Sequence, residues 1–162
     1  GTSAHLAGEL LTKEAGIDMR HVPYKGSGPA LVDLLAGRVD VMFDVYHSAK
    51  AQVEQGKLKV IALTSEVQPA NIKGYPLLAD TVRGFNVTSL FGLVVRAGTP
   101  RPIVDKIQAD TARVLNKPEV RARLEGLGME IVGSTPEQFE AFVRTEMAKW
   151  AQVIKAGNIK VE

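Results

Sequence analysis

Residues His21 to Asp44, with the sequence HVPYKGSGPALVDLLAGRVDVMFD, contain the pattern that decides the fold. A short apolar segment precedes a glycine-rich turn, a helical pattern follows, and a second apolar segment ends the stretch. This order predicts a βαβ unit, in which a right-handed crossover joins two parallel strands. In open α/β sheets, ligands bind beyond the carboxyl ends of the strands. Those ends carry Tyr24, Lys25, Gly26 and Ser27 on one side and Asp44 on the other, which predicts a small polar or anionic ligand.

The composition is that of an ordinary globular protein, and it argues against several classes of function. The 162 residues are 45% hydrophobic and 23% charged, with 20 basic and 18 acidic side chains. There is no basic run, and aromatic residues make up only 6%, so we expect no nucleic-acid partner. Cysteine is absent and the three histidines lack metal-site spacing, so we expect no thiol nucleophile, metal or other cofactor. The sequence as given shows no membrane-spanning apolar stretch and no export signal.

The flanking segments extend the α/β pattern. A helix is expected over Ala4–Ala15, and because no strand precedes it, the sequence is interpreted as the later part of a longer polypeptide. Beyond Gly98 helices dominate, and Thr135 opens the clearest one with a capping box to Gln138. Four apolar runs predict strands: Met19–Tyr24, Val39–Phe43, Leu58–Leu63 and Met129–Val132. Phe85–Val95 is expected to be an extended segment that crosses between two lobes, and residues 66–84 before it are expected to form a long loop.

Two features at the strand ends are candidate ligand contacts. The glycines of the Tyr24–Ser27 turn let backbone N–H groups approach an anion, and the next helix directs its positive end at the turn. The alternative is a plain connection with Lys25 in solvent. Asp44 could accept hydrogen bonds from a ligand, or it could cap the following turn or pair with Arg38.

The start of the first helix is a third candidate. Thr2 and Ser3 offer hydroxyls beside free N–H groups, and His5 lies just inside the helix, which suits an anion. The alternative is ordinary N-capping with a half-buried histidine. A hydrolase is not favoured, because no GxSxG motif surrounds any of the available serines: Ser27, Ser48, Ser65 and Ser89.

Six segments resemble one family in order and spacing, the Bug family of solute-binding proteins of tripartite tricarboxylate transporters. The segments are HLAGEL, VPYKGSGPALVDLLAGRVDVMFD, KLKVIALTS, SLFGLVVRAGTP, LNKPEVRARLEGLG and TPEQFEAFVRTEMAKWAQVIKAGNI. The resemblance implies a periplasmic, non-enzymatic receptor with no cofactor, which closes two lobes over a small carboxylate and presents it to a membrane permease. It places the ligand-facing loops at Thr2–His5, at Tyr24–Ser27 and at Asp44.

The resemblance also implies an organisation. The fold is expected to be α/β, as a type II periplasmic-binding-protein-like lobe with a mostly parallel sheet flanked by helices, plus a C-terminal helical segment. Members are about twice this length, so residues 1–86 are expected to form most of a second ligand-binding lobe. Residues 87–98 are expected to cross between lobes, and residues 99–162 to pack on the other lobe. Exposed lobe-facing residues could then drive a homodimer or a swapped oligomer.

Two departures from the family pattern bear on specificity. The family commonly has Asn-Leu-Pro-Ser after the Phe-Asp pair, where this chain has Val45, Tyr46, His47 and Ser48, and Leu90 replaces a usual tryptophan. The identity of the ligand is therefore left open among dicarboxylates, tricarboxylates and aromatic acids. Two other functions stay open: the effector-sensing domain of a transcription regulator, and a small α/β enzyme acting on a carboxylated substrate.

Overall fold

The computed structural model describes the backbone of residues 1–157 and the side chains of residues 1–155. Helices account for its regular structure, and none of the described helices is long and apolar enough to cross a membrane. Six α-helices and one short 3₁₀-helix, Leu78–Asp80, follow one another along these residues. The α-helices are α1 (Ser3–Ala15), α2 (Ser27–Leu35), α3 (Tyr46–Glu54), α4 (Arg101–Leu115), α5 (Pro118–Gly126) and α6 (Pro136–Gly157).

Helix α1 begins one residue before the predicted Ala4 and ends at the predicted Ala15. The hydroxyl of Thr2 accepts a hydrogen bond from the backbone N–H of His5 at 3.4 Å, which caps the first turn. Gly16 ends the helix in the left-handed conformation with φ of 63°, a geometry that favours glycine. Ala7 and Leu10 bury the inner face of the helix, with 2% and 9% of their surface exposed.

The predicted sheet is not confirmed, because none of the expected strands is present in the described residues. Apolar residues that the pattern assigned to a buried sheet are exposed instead: 45% for Val22, 45% for Val41 and 67% for Ile61. A strand forms only where a neighbouring segment supplies a ladder of backbone hydrogen bonds. The structure gives these apolar runs no such ladder, so their high strand propensity is not realised.

A single parallel bridge joins Leu63 to Leu77 in the part of the chain that the structure describes. The Leu63 N–H donates to the carbonyl of Pro76 at 2.8 Å, and the Leu78 N–H donates to the carbonyl of Leu63 at 2.8 Å. Next to the bridge, the Val87 N–H donates to the Thr64 carbonyl at 2.8 Å, and the Thr64 hydroxyl donates to the Val87 carbonyl. The end of the third predicted strand therefore lies between two other segments.

Two compact units divide the chain. One consists of Gly1–Ser89 with the residues from Val153 onward, and the other of Leu90–Gln152. In the first unit, α2 packs against α3, and Phe85 is the most deeply buried large side chain, with 1% of its surface exposed. Its small core also includes Ala30, Ile72 and Val87.

In the second unit, several side-chain hydrogen bonds lie at the start of α6. The Thr135 hydroxyl accepts from the Gln138 N–H at 3.3 Å, and the Gln138 side chain accepts from the Thr135 N–H at 2.9 Å, which confirms the predicted capping box. Gln108 on α4 donates to the carbonyl of Ser134 at 3.3 Å. The Gln108 bond joins α4 to the segment just before α6.

Gly92 lies against the ring of Phe139 in the second unit. A Cβ atom built on Gly92 would lie 2.5 Å from Cζ of that ring, which is far inside van der Waals contact. Gly92→Ala should therefore destabilise the unit by about 1–3 kcal/mol through overpacking, measured as the free energy of unfolding in urea.

The matched control is Gly126→Ala on α5, where an added Cβ meets nothing within 4 Å. That substitution should be neutral or stabilise by up to about 1 kcal/mol, because alanine favours the helix. Equal effects of the two substitutions would contradict the packing of Gly92 on Phe139.

Candidate functional site

The start of α1 brings two hydroxyls together. Ser3 Oγ and Ser89 Oγ lie 3.0 Å apart. The first turn of a helix has backbone N–H groups without intrahelical partners and carries the positive end of the helix dipole. Ser89 enters this neighbourhood from far along the chain, so no local pattern identified it as a site residue.

The turn and the second predicted strand end also meet. The hydroxyl of Ser27, the first residue of α2, donates to Oδ1 of Asp44 at 2.7 Å. The same oxygen accepts from the backbone N–H of Val45 at 2.9 Å, just before α3 begins. Both bonds that the described residues make to Asp44 go to Oδ1, which leaves Oδ2 as an acceptor at an exposed position.

Gly26 and Lys25 give the turn its shape and charge. Gly26 has φ of 128°, in the region that disfavours any residue with a side chain, and nothing lies within 4 Å of the position of its missing Cβ. Lys25 is exposed, which agrees with the alternative that placed this lysine in solvent. The turn therefore presents backbone and a cation to one open region.

Tyr24 is held by α2. Its hydroxyl donates to Oδ2 of Asp33 at 2.8 Å, and Arg38 donates to Oδ1 of the same carboxylate at 2.7 Å. Arg38 thus pairs with Asp33, and the expectation that it could pair with Asp44 is wrong. The Arg38 hydrogen bond, and then the Tyr24 hydrogen bond, lower the pKa of Asp33, while the bond to Asp33 raises the pKa of Tyr24.

His5 is largely buried, with 12% of its side chain accessible. Its imidazole stacks on that of His21, with ring centroids 3.9 Å apart and planes inclined by 12°. Nε2 lies 3.5 Å from the carboxylate of Glu9, and Nδ1 lies 3.0 Å from the backbone nitrogen of Gly1. Burial, and then the charge of His21, lower the pKa of His5, against an opposing effect of Glu9.

These contacts gather three segments around α1. The His5–His21 stack brings the approach to the turn against the first turn of the helix. One turn further on, Gly8 faces the ring of Phe43, with Cε2 3.6 Å from the position that a Cβ would take. Since Phe43 precedes Asp44, and Asp44 binds Ser27, all three predicted loops belong to one neighbourhood of the first unit.

Tyr46, one of the residues that depart from the family pattern, makes an aromatic contact. It begins α3, and its ring lies 6.4 Å from that of Tyr75 at an angle of 53°. Burial and a hydrogen bond with Tyr75 raise the pKa of Tyr46.

Two side-chain atoms elsewhere in the described residues, Gln52 Oε1 and Ser65 Oγ, are buried without a hydrogen-bond partner. No group of three or more potential metal-ligating side chains occurs among the described residues.

A family model matches almost the whole chain. Residues 1–159 match the family described as the tripartite tricarboxylate transporter family receptor. The chain belongs to this family. The resemblance to the Bug proteins is thereby confirmed, since Protein BugT of Bordetella pertussis is 28% identical over 163 residues, covering 100% of this chain and 50% of that relative.

A second relative is shorter. The UPF0065 protein in the clcB-clcD intergenic region of Pseudomonas knackmussii is 37% identical over 157 residues, covering 95% of this chain and 92% of its own length. Several other curated relatives are longer, and the chain spans about half of their length.

Solved structures of similar proteins show the same fold family. R. palustris Rpa4515 with adipate matches 98% of this chain and 54% of its own chain, at 31% identity and a TM-score of 0.90. The periplasmic binding protein BugD matches the same shares, at 31% identity and a TM-score of 0.85. The chain is therefore similar in fold to periplasmic binding proteins.

The bonds around Asp33 generate a prediction about its titration. Arg38→Gln should raise the pKa of Asp33 more than Tyr24→Phe does, because the Arg38 hydrogen bond is the larger cause of the lowered value. Since the folded pKa lies below the ordinary 3.8, this carboxylate stabilises the fold above that pH and loses its effect as the pH falls through the lowered value.

Carboxyl-carbon NMR titration measures this order directly. The pKa of Asp110, which Lys106 lowers in the other unit, should stay unchanged in both variants and serves as the control. A larger effect of Tyr24→Phe would contradict the assignment of Arg38 as the main partner.

Proposed function

We propose that the protein is a periplasmic, non-enzymatic solute receptor that binds a small carboxylate and delivers it to the membrane permease of a tripartite tricarboxylate transporter. The observation that carries this proposal is the hydrogen bond between Ser27 and Asp44, which brings the glycine-rich turn and the second predicted strand end to one place. Membership of the receptor family supports it.

The proposed organisation assigns residues 1–86 to a ligand-binding lobe of type II, with helices flanking a mostly parallel sheet. The bridge between Leu63 and Leu77 supports that sheet in the described residues. Residues 87–98 would cross between lobes, and residues 99–162 would pack on the other lobe. The last five residues of that segment, 158–162, lie outside the described part of the chain.

The ligand carboxylate would be bound by dipoles and by one cation. Backbone N–H groups at the starts of α1 and α2, with the hydroxyls of Thr2 and Ser3, offer donors to it, while the Ser27 hydroxyl, whose proton goes to Asp44, borders the same place. Lys25 adds a positive charge beside the turn, and His5 borders the same region. Such donors compensate for the water that a carboxylate loses on binding.

Asp44 would contact the remainder of the ligand. The carboxylate of Asp44 is negative and repels a bound anion unless a proton or a water molecule lies between the two groups. Oδ2 of Asp44 therefore suits a ligand hydroxyl, a protonated second carboxyl group or a bridging water. Closure of the two lobes would bury the ligand and form the surface that the permease recognises.

The ligand class follows from the donors and from the relatives. A carboxylate is common to dicarboxylates, tricarboxylates and aromatic acids, and one similar structure contains adipate. A thermal-shift panel of these acids on the full-length gene product tests the function. A ligand at one hundred times its dissociation constant adds about 2.7 kcal/mol of stability, so a selective shift is expected.

A flat panel from a demonstrably folded protein would contradict the receptor. Turnover of an acid would indicate the small α/β enzyme, and a DNA-binding segment in the full-length product would indicate the transcription regulator.

Asp44→Ala in the full-length gene product should weaken binding of the best acid of that panel about 10- to 100-fold, the loss expected for a charge-assisted hydrogen bond. Folding should change by about 1 kcal/mol or less, because Asp44 is exposed. Calorimetric titration measures the affinity, and urea unfolding measures the free energy of unfolding.

Asp40→Ala is the matched control, an exposed carboxylate four residues earlier, and should bind the acid as the wild type does. Unchanged affinity in Asp44→Ala would remove Asp44 from the site.

Self-association of the chain is part of the proposal. Residues 90–95, Leu-Phe-Gly-Leu-Val-Val, contain no charge, and Phe91 and Val94 are 72% and 85% exposed. An exposed apolar segment of this kind pairs readily with a second copy of itself. We expect sedimentation equilibrium of the 162-residue chain to show concentration-dependent dimers.

Val94→Glu should weaken those dimers, because charges would face each other across a symmetric contact. Val132→Glu, at a position 77% exposed but outside the apolar run, should leave them unchanged. A monomer at all concentrations would contradict the proposed contact.

A further inference from the structure

The stacked imidazoles of His5 and His21 connect two parts of the candidate site that the sequence separates. His5 lies in the first turn of α1, and His21 lies just before the Tyr24–Ser27 turn. The centroid distance of 3.9 Å and the angle of 12° describe two rings in close, nearly parallel contact. His21 itself was not predicted as a site residue.

The turn depends on this contact for its position on α1. Between Gly16 and Ser27 the described backbone forms neither helix nor strand, and Ile17 is the last of these residues shown with a backbone hydrogen bond. The Tyr24 and Ser27 side chains bind Asp33 and Asp44, which fixes the turn relative to α2 and α3. The stack of His21 on His5 links the segment that precedes the turn to α1.

We propose that His21 is a positioning residue of the ligand site, whose ring holds the Tyr24–Ser27 turn against the start of α1 through its stack on His5. This inference rests on the proposed function. His21 touches no ligand in this scheme. It sets the spacing between the two groups of anion-binding N–H donors, one at each helix start, and that spacing decides which carboxylates fit.

The stack also makes the site sensitive to pH. Two titratable groups face His5: the Glu9 carboxylate at 3.5 Å and the stacked ring of His21. Phe43, which meets the same helix at Gly8, is uncharged. Two protonated imidazoles at this separation repel each other, so the stack favours the neutral form of His5.

The direction of the pH effect follows from the lowered pKa of His5. A histidine released from the stack takes up a proton near the ordinary 6.5, whereas the stacked ring resists protonation to lower pH. The stack therefore contributes its full stability above about 6.5 and loses it as the pH falls from there through the lowered pKa. The turn should loosen over the same interval.

The test compares His21→Ala with His21→Phe in the full-length gene product, using adipate as the probe. At pH 7.5, His21→Ala should raise the dissociation constant about 2- to 10-fold, and His21→Phe should stay within about twofold of the wild type because it keeps a ring. Between pH 7.5 and 5.5 the wild type should lose more affinity than His21→Phe. Because His5 takes up its proton at a higher pH in His21→Phe, the two proteins are compared at equal protonation of His5, read from its NMR titration, which removes any direct effect of a protonated His5 on the anion. Equal affinity of His21→Ala and the wild type would overturn the proposal.

A readout without ligand separates this inference from the function on which it rests. NMR order parameters of the backbone amides of Lys25, Gly26 and Ser27 should fall in His21→Ala but not in His21→Phe, and the NMR-measured pKa of His5 should rise in both. If no acid binds any variant, the receptor function fails, while the order parameters still decide whether the stack holds the turn. Unchanged order parameters in His21→Ala would overturn the positioning role whatever the binding result.

Discussion

The hydrogen bond from Ser27 to Asp44 is the contact on which the candidate site depends. It joins the first residue of α2 to a residue that lies just before α3, and the two helices pack against each other. Without it, the glycine-rich turn and the carboxylate would be two unrelated features of one surface. With it, donors from one helix start and an acceptor from the next face a common space. An exposed hydrogen bond of this kind adds little stability, so its importance lies in placement.

The helices could be predicted from sequence because their signals are local. Thr2 and Gly16 at the ends of α1, and the Thr135–Gln138 capping box at the start of α6, act within a few residues of the backbone groups that they satisfy. The strands could not be established in the same way, since a strand needs a partner segment whose position no short pattern specifies. Val22, Val41 and Ile61 have strand propensity yet remain exposed here. Only the Leu63–Leu77 bridge represents strand pairing in the described residues.

In the candidate site, too, residues with local sequence signals could be predicted and residues that arrive by tertiary contact could not. Gly26, Ser27 and Asp44 could be identified from their places at the ends of the apolar segments, and the structure brings Ser27 and Asp44 into contact. Ser89 and His21 could not, because each reaches the start of α1 through a tertiary contact. Tyr24 was predicted as a ligand contact, but its hydroxyl proton is already donated to Asp33. Its ring or its oxygen lone pair remains for a ligand.

Amide NMR of the full-length gene product during titration with the carboxylate that it binds best tests the central claim most directly. We expect the largest shifts on the backbone N–H groups at the starts of α1, α2 and α3, which belong to Ser3, Ala4, Gly26, Ser27, Gly28 and Val45. Saturable shifts confined to these helix starts would establish them as the carboxylate site. Saturable binding that leaves all six amides unmoved would contradict the claim and place the ligand elsewhere.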